Sequence, residues 1–340
     1  MDSAKSGAAP RLKWKKTAAT AGAVALAAVL FAFFINRAGD MEELGAAIKS
    51  ALKHPCWLAA GAGLFSLSLM SGMLRWFILL KTLRLPVPFG EAFRLYATGH
   101  FFNILGPGAT GGDLVKAAWL ASKIPDGQRT IAVTSIAAER LIGLMSMIVF
   151  VAGVVLFRAD FFSSHPTLAI IRLCVIAAFA GAAVLFALLT AIDWEKLASR
   201  IKTREGSFAA KLLATMVKVW RTFKVCLSHP AAALGAFALS LANHAADACC
   251  YFLLSRALSM TLPFRDMIAI TPIANMAAAV PLTPGGLGLR ENALQTMMDM
   301  ANVPLAQSSA LALLMFSSIV FWALVAGCVM LGGKRRKRAA

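Results

Sequence analysis

Two short segments with the pattern Pro-Gly-x-x-Gly-x-charge contain the residues best suited to binding an anion. The first runs from Pro107 to Asp113 and the second from Pro284 to Arg290, and each interrupts a long apolar stretch. A helix broken by proline and glycine frees backbone N–H groups, and the first turn of the next half-helix attracts negative charge. The pattern therefore predicts two half-helix N-termini that could each hold a phosphate group.

The first segment combines a backbone break with polar and charged side chains. The candidate binding residues here are Asn103, Pro107, Gly108, Gly111, Asp113 and Lys116. The Asp113 carboxylate suits a helix N-terminus, and Lys116 supplies a cation one turn further on. A loop turn with an N-capping aspartate would explain the same residues without a ligand. The segment lacks the Gly-Lys-Ser/Thr ending of a nucleotide-binding P-loop.

The second segment repeats this logic with arginine as the cation. Its candidate binding residues are Pro284, Gly285, Gly286, Gly288, Arg290 and Glu291. Arginine suits bidentate contact with a phosphate. The alternative is a structural role in which Arg290 snorkels or pairs with Glu291.

Two further pairs of polar residues lie inside apolar stretches. Glu139 and Arg140 are about 100° apart on a helix and cannot form one tight pair, so each needs another partner. Asp113 or a lipid phosphate could serve Arg140, either in a polar cavity between the two broken segments or as a buried ion pair. His244 and Asp247 share one helix face, where they could relay protons or make a helix–helix hydrogen bond.

The elements that must position these residues are membrane-spanning helices. The chain has 340 residues, 59% of them hydrophobic, with apolar runs long enough to cross a bilayer. We predict an all-α polytopic membrane protein with six full spans, at about 17–36, 56–80, 130–157, 167–192, 230–255 and 304–331. The regions 91–122 and 264–302 are too polar at their centres for straight spans, and we predict two re-entrant helical hairpins related as an inverted repeat.

The charge distribution predicts an orientation for these spans. The formal net charge is +18, and most Lys and Arg residues fall on one side if both termini are cytoplasmic. This gives a basic cytoplasmic N-terminus at 1–16, a single transmembrane domain at 17–333 and a basic cytoplasmic tail at 334–340. We do not expect nucleic acid as a partner. A basic amphipathic helix over 208–227 would lie on the inner membrane surface or pack on the spans as a connector.

These motifs resemble the transmembrane-domain family of the lysylphosphatidylglycerol synthases. The resemblance rests on the Asn103–Lys116 segment, on Glu139-Arg140 and above all on the Thr283–Glu291 segment. It implies a bacterial inner-membrane protein whose site residues handle lipid. Well-understood members couple lipid translocation to a soluble aminoacyl-transferase domain. Only a short basic tail follows residue 333, so we do not expect the aminoacyl-transfer activity here.

The most favoured function is translocation of an anionic or amphiphilic lipid between leaflets. The alternatives are a membrane enzyme, or enzyme subunit, that modifies a lipid headgroup, and a proton-coupled transporter of small solutes that uses His244 and Asp247. The sequence contains no nucleophile, metal or nucleotide motif, so we expect no cofactor. The expected partners are membrane lipids with anionic headgroups, lipid-biosynthesis enzymes and a second copy of the chain.

Overall fold

A computed structural model of the chain is helical throughout the part that it describes, which comprises residues 41–105, 111–192, 208–279 and 286–336 and a few single positions between them. The helices are α1 (Met41–Leu52), α2 (Pro55–Thr82), α3 (Phe89–Leu105), α4 (Gly111–Ala121), α5 (Arg129–Phe157), α6 (Ala159–Ser163), α7 (Pro166–Ala191), α8 (Phe208–Leu227), α9 (Pro230–Ala257), α10 (Phe264–Ala278), α11 (Leu289–Met300) and α12 (Leu305–Arg336).

Among the described residues, five helices are long and apolar enough to span a membrane, namely α2, α5, α7, α9 and α12. They correspond to five of the six predicted spans, and the remaining one, 17–36, lies outside the described residues. Three of the five helices, α2, α7 and α9, begin at a proline. Proline is favoured at the first helical position because its missing N–H would have no partner there. The predicted all-helical membrane architecture is therefore confirmed at this level.

The first broken region is an antiparallel pair of short helices, α3 and α4. Lys123, just past the end of α4, contacts Glu91 in the first turn of α3. The start of α3 and the end of α4, which are the ends away from the break, therefore lie together. Near the break, the Gly112 N–H donates to Asn103 Oδ1 at 2.9 Å. A Cβ on Gly112 would lie 1.8 Å from the Gly99 carbonyl oxygen, so this approach requires glycine. Pro107 and Gly108 lie outside the described residues.

The second broken region likewise gives two short helices that pack on each other, α10 and α11. Gly286 and Gly288 adopt positive φ angles of 73° and 83°, which glycine tolerates best. A Cβ on Gly286 would lie 2.5 Å from the Ala278 side chain. The predicted break is therefore confirmed at these glycines, while Pro284 and Gly285 lie outside the described residues.

Helix α5 connects the two broken regions, because each of its ends lies beside one of them. At its start, Arg129 Nε donates to the Ile124 carbonyl at 3.2 Å. Ile124 lies three residues after the end of α4. At its other end, Arg158 pairs with Asp266 in the first turn of α10 at 2.8 Å. Arg158 also donates to Asp160, which lowers the pKa of that carboxyl to about 2.

The basic amphipathic helix α8 packs on the spans. Thr222 and Thr134 of α5 share a hydrogen bond of 2.6 Å. Phe223 and Cys226 are buried in a cluster that includes Leu79 of α2. Of the two interpretations of this segment, the packed connector is the one that these contacts favour.

Candidate functional site

Five charged side chains from three helices, α2, α4 and α5, meet inside the helical bundle. Glu139 accepts hydrogen bonds from Arg75 Nη2 at 2.6 Å and from Lys116 Nζ at 3.1 Å. Asp113 accepts from Arg140 Nε at 2.6 Å and lies 3.6 Å from Lys116 Nζ. Three cations and two carboxylates leave this cluster with one surplus positive charge.

The helical period of α5 explains how neighbouring residues serve different partners. Glu139 is almost fully buried and faces Arg75 of α2 and Lys116 of α4. The Arg140 side chain is 47% exposed and faces Asp113. Glu139 and Arg140 thus have different partners, as predicted, and of the two partners that the sequence left open for Arg140, Asp113 is the one that it contacts.

A polar cavity of about 190 Å³ lies against this cluster. Besides the five charged residues, it is lined by Tyr96, Gly99, His100 and Asn103 of α3. The Lys116 ammonium also lies 4.5 Å from the centroid of the Trp76 ring. Such cation–π contact favours a charged amine in a poorly hydrated site.

Two glycines make room for the side chains that line the cavity. A Cβ on Gly143 of α5 would lie 3.2 Å from the Arg75 guanidinium. A Cβ on Gly72 of α2 would lie 2.2 Å from the Tyr96 hydroxyl oxygen. A methyl group at Gly72 would therefore force the Tyr96 side chain to move, and one at Gly143 would force the Arg75 guanidinium to shift by a few tenths of an ångström.

An apolar groove of about 390 Å³ adjoins the polar cavity between α2, α3 and α12. The two spaces share Tyr96 and His100 as lining residues. Helix α12 is held to its neighbours by the Trp322 indole N–H, which donates to the Ala62 carbonyl at 2.7 Å, and by contact between Gly327 and the Phe101 ring. The charged cavity and the apolar groove are thus neighbours, with Tyr96 and His100 in the wall of each.

The residues of the second motif form a separate cluster. The buried Arg290 guanidinium contacts Glu291, whose Oε2 accepts the Gly288 N–H at 2.7 Å. This is the structural pairing that the sequence left open as an alternative. The described residues that line the charged cavity come from α2, α3, α4 and α5, so neither Arg290 nor Glu291 is among them.

His244 and Asp247 of α9 each contact a neighbouring helix. His244 Nε2 lies 3.4 Å from Ser146 Oγ of α5. Asp247 Oδ2 accepts from Asn275 Nδ2 of α10 at 2.8 Å. Both make the helix–helix hydrogen bonds that one of the two sequence interpretations predicted.

The sequence analysis missed Arg75, Tyr96 and His100 as site residues. Arg75 is 8% exposed and also donates to Ser240 of α9 at 3.0 Å, although its place near the end of a span suggested a charge at the inner surface. The feature that could have identified Arg75 as buried is that α2 continues for seven residues beyond it. Tyr96 and His100 lie one turn apart on α3, which gave no signal without knowledge of the neighbouring helices.

Comparison with known proteins places these residues within a described membrane region. The sequence profile of the lysylphosphatidylglycerol synthase TM region matches residues 20–328. The chain is also similar to a UPF0104 membrane protein from Methanothermobacter thermautotrophicus. The two are 26% identical over 301 residues, which cover 83% of this chain and 82% of the relative. Every residue of the charged cavity falls within the region that the profile matches. Each of them lies on one of the helices α2, α3, α4 and α5.

Proposed function

Because this chain belongs to the lysylphosphatidylglycerol synthase transmembrane-region family, we propose that it translocates an anionic or amphiphilic lipid between the leaflets of the bacterial inner membrane. The observation that supports this proposal best is that the charged cavity lies next to the apolar groove, with Tyr96 and His100 lining both. A lipid needs both environments, one for its headgroup and one for an acyl chain.

The charge of the cavity favours a headgroup with one negative charge. Arg75, Lys116 and Arg140 outnumber Asp113 and Glu139 by one charge. A buried surplus charge is costly in a poorly hydrated site, and a singly charged anion would neutralise it. The His100 Nε2 atom has no hydrogen-bond partner among the described residues, so it could serve a bound headgroup.

The arrangement of the short helices supports two oppositely directed re-entrant hairpins. Helix α4 with 11 residues is about 17 Å long, and α11 with 12 residues about 18 Å, which is well short of the roughly 30 Å hydrocarbon core. The open end of the first pair lies near the start of α5, and the start of α10 lies at the other end of α5. In the inverted repeat that we propose, the two hairpins would therefore enter from opposite sides, which is typical of transporters with alternating access.

A leaflet-resolved assay tests the function. Purified protein in liposomes should move a fluorescent phosphatidylglycerol from the inner to the outer leaflet, where a membrane-impermeant reductant bleaches it. Replacing Arg140 by Ala should reduce the rate at least tenfold, because it removes the most accessible cation of the cavity. Asp126→Asn, at an 84% exposed carboxylate, is the matched control and should leave the rate unchanged.

Transfer at the same rate by wild-type protein, Arg140→Ala and protein-free liposomes would rule out translocation. Transfer of a soluble phosphate ester in place of the lipid would instead favour a small-solute transporter. A headgroup altered in mass after incubation would favour a lipid-modifying enzyme.

Cysteine labelling tests the proposed orientation, in which both termini are cytoplasmic. In a variant without the six native cysteines, Asp126→Cys should react only with an inside reagent and Ser259→Cys only with an outside reagent. Both positions are exposed. Labelling of both cysteines from the same side would be incompatible with the proposed topology.

A further inference from the structure

A file of polar side chains runs along one face of α9, from the charged cavity towards the second broken pair. Ser240, Asn243, His244, Asp247 and Tyr251 follow one another at intervals of one to four residues, which places them along one side of the helix. At one end, Ser240 accepts a hydrogen bond from Arg75. At the other end, Asp247 and Tyr251 interact electrostatically with Arg290.

Three neighbouring helices, α2, α5 and α10, each contribute a polar side chain to this file. Ser68 of α2 donates to Asn243 Oδ1 at 2.9 Å. Ser146 of α5 lies beside His244, and Asn275 of α10 donates to Asp247. Polar side chains that meet along the length of an apolar helix are expensive in a membrane and normally mark a path for ions or protons.

Two enclosed polar atoms in this file lack partners among the described residues. They are Asp247 Oδ1 and the hydroxyl of Tyr251, and the Tyr251 side chain is fully buried. The two residues are four apart and therefore adjacent on the helix surface. An ionised carboxylate oxygen without a hydrogen bond is strongly disfavoured in such a place, whereas a protonated one is tolerated.

The charges around Asp247 indicate which carboxylate in this region would bind a proton. The Arg290 guanidinium faces two carboxylates, Glu291 and Asp247. Both oxygens of Glu291 already accept hydrogen bonds, from Arg290 and from the Gly288 N–H. The cluster becomes neutral when one proton binds, and Asp247 Oδ1 is the free acceptor.

The other groups that face Asp247 do not supply a compensating charge. Ser68 of α2 and Asn275 of α10 are neutral, and Cys250, Tyr251 and His244 lie on α9 itself. We propose that Asp247 is a proton-binding site and that the protons it exchanges along α9 couple to lipid movement. In the binding step an O–H bond forms at Oδ1, while a hydronium ion gives up that proton and becomes water, or the His244 imidazolium gives it up and becomes neutral imidazole. The coupling rests on the proposed lipid translocation, but proton binding does not.

Infrared difference spectroscopy of the purified protein tests proton binding without any lipid assay. The wild-type protein should show a carboxylic acid C=O band that disappears as the pH rises and is missing in the isosteric Asp247→Asn variant. The Asp126→Asn control should retain the band, and Tyr251→Phe should retain it at a shifted frequency. Identical spectra for wild type and Asp247→Asn at every pH would overturn the proposal, and the Tyr251→Phe spectrum decides the matter if Asp247→Asn does not fold.

Proteoliposomes with a pH gradient test the coupling. If one proton accompanies each lipid, a gradient of about one pH unit should change the leaflet distribution of the lipid about tenfold, because 1.4 kcal/mol corresponds to a factor of ten. The Asp247→Asn variant should show no such change. Lipid transfer that ignores the pH gradient, or follows a sodium gradient instead, would refute the coupling while leaving translocation intact. Absence of lipid transfer under all conditions would refute translocation, and the infrared result would still decide whether Asp247 binds a proton.

Discussion

Replacing Glu139 by Gln should destabilise the protein more than any change at an exposed ion pair. The side chain is 3% exposed and holds two cations, Arg75 and Lys116, which are 9% and 3% exposed. Removing one partner of a buried ion pair costs about 3–5 kcal/mol, because the remaining charge stays buried. Glutamine keeps the shape and one acceptor oxygen, so we expect a loss of about 3 kcal/mol.

The unfolding free energy can be measured by titrating the protein from mild detergent into dodecyl sulfate and following tryptophan fluorescence. A second substitution, Lys116→Met, removes one of the two stranded cations and keeps the length of the side chain. The double variant should therefore be more stable than Glu139→Gln by at least about 1 kcal/mol, which is a clear coupling between the two sites. Asp126→Asn, which breaks an exposed pair with Arg129, should cost no more than about 1 kcal/mol.

Two results would refute this reasoning. The first is a Glu139→Gln variant within about 1 kcal/mol of the wild type, which would mean that water or flexible neighbours already solvate the two cations. The second is a double variant whose loss equals the sum of the single losses. That additivity would mean that Lys116 and Glu139 do not share a site.

Two glycine positions offer sharper tests of shape. Gly112→Ala should give no monodisperse folded protein in size-exclusion chromatography, because its Cβ would lie 1.8 Å from the Gly99 carbonyl oxygen. The control variant Gly90→Ala should elute like the wild type, because a Cβ at this position would have nothing within 4 Å. Normal elution of both variants would contradict the close packing of the first pair. Gly72→Ala should lower the unfolding temperature because its Cβ would lie 2.2 Å from the Tyr96 hydroxyl, and adding Tyr96→Phe should restore most of the loss. If the second substitution brings no recovery, the Tyr96 hydroxyl does not lie against Gly72.

Local rules predicted the spans and the breaks well. Apolar runs of more than 20 residues gave five helices of the expected extent, and prolines and glycines marked where the short helices end. The angle between adjacent helical residues was sufficient to predict that Glu139 and Arg140 have different partners, but it left both Asp113 and a lipid phosphate open for Arg140, which contacts Asp113. These predictions succeed because the helical period and the length of a span are properties of the local chain.

The composition of the site could not be predicted in the same way. Arg75 lies near the end of an apolar helix, where an arginine ordinarily snorkels to the surface, and only the position of Glu139 on another helix keeps it inside. The expectation that Lys116 and Arg290 would each stand at a phosphate-binding helix N-terminus rested on similar motifs. Similar motifs fix similar turns, but the packing of α11 and α4 on different neighbours decides which cavity each cation faces.

Helix α5 joins the two broken pairs in a way that has a mechanical consequence. With 29 residues it is about 44 Å long. When a helix tilts without bending, its two ends move in opposite directions. A tilt of about 10° about its midpoint would carry its two ends about 4 Å in opposite directions. Gly143 stands at that midpoint, and Glu139 lies about 6 Å from it. The ion pairs of Glu139 would thus move little, while the ends of the two broken pairs that contact α5 would be displaced in opposite directions.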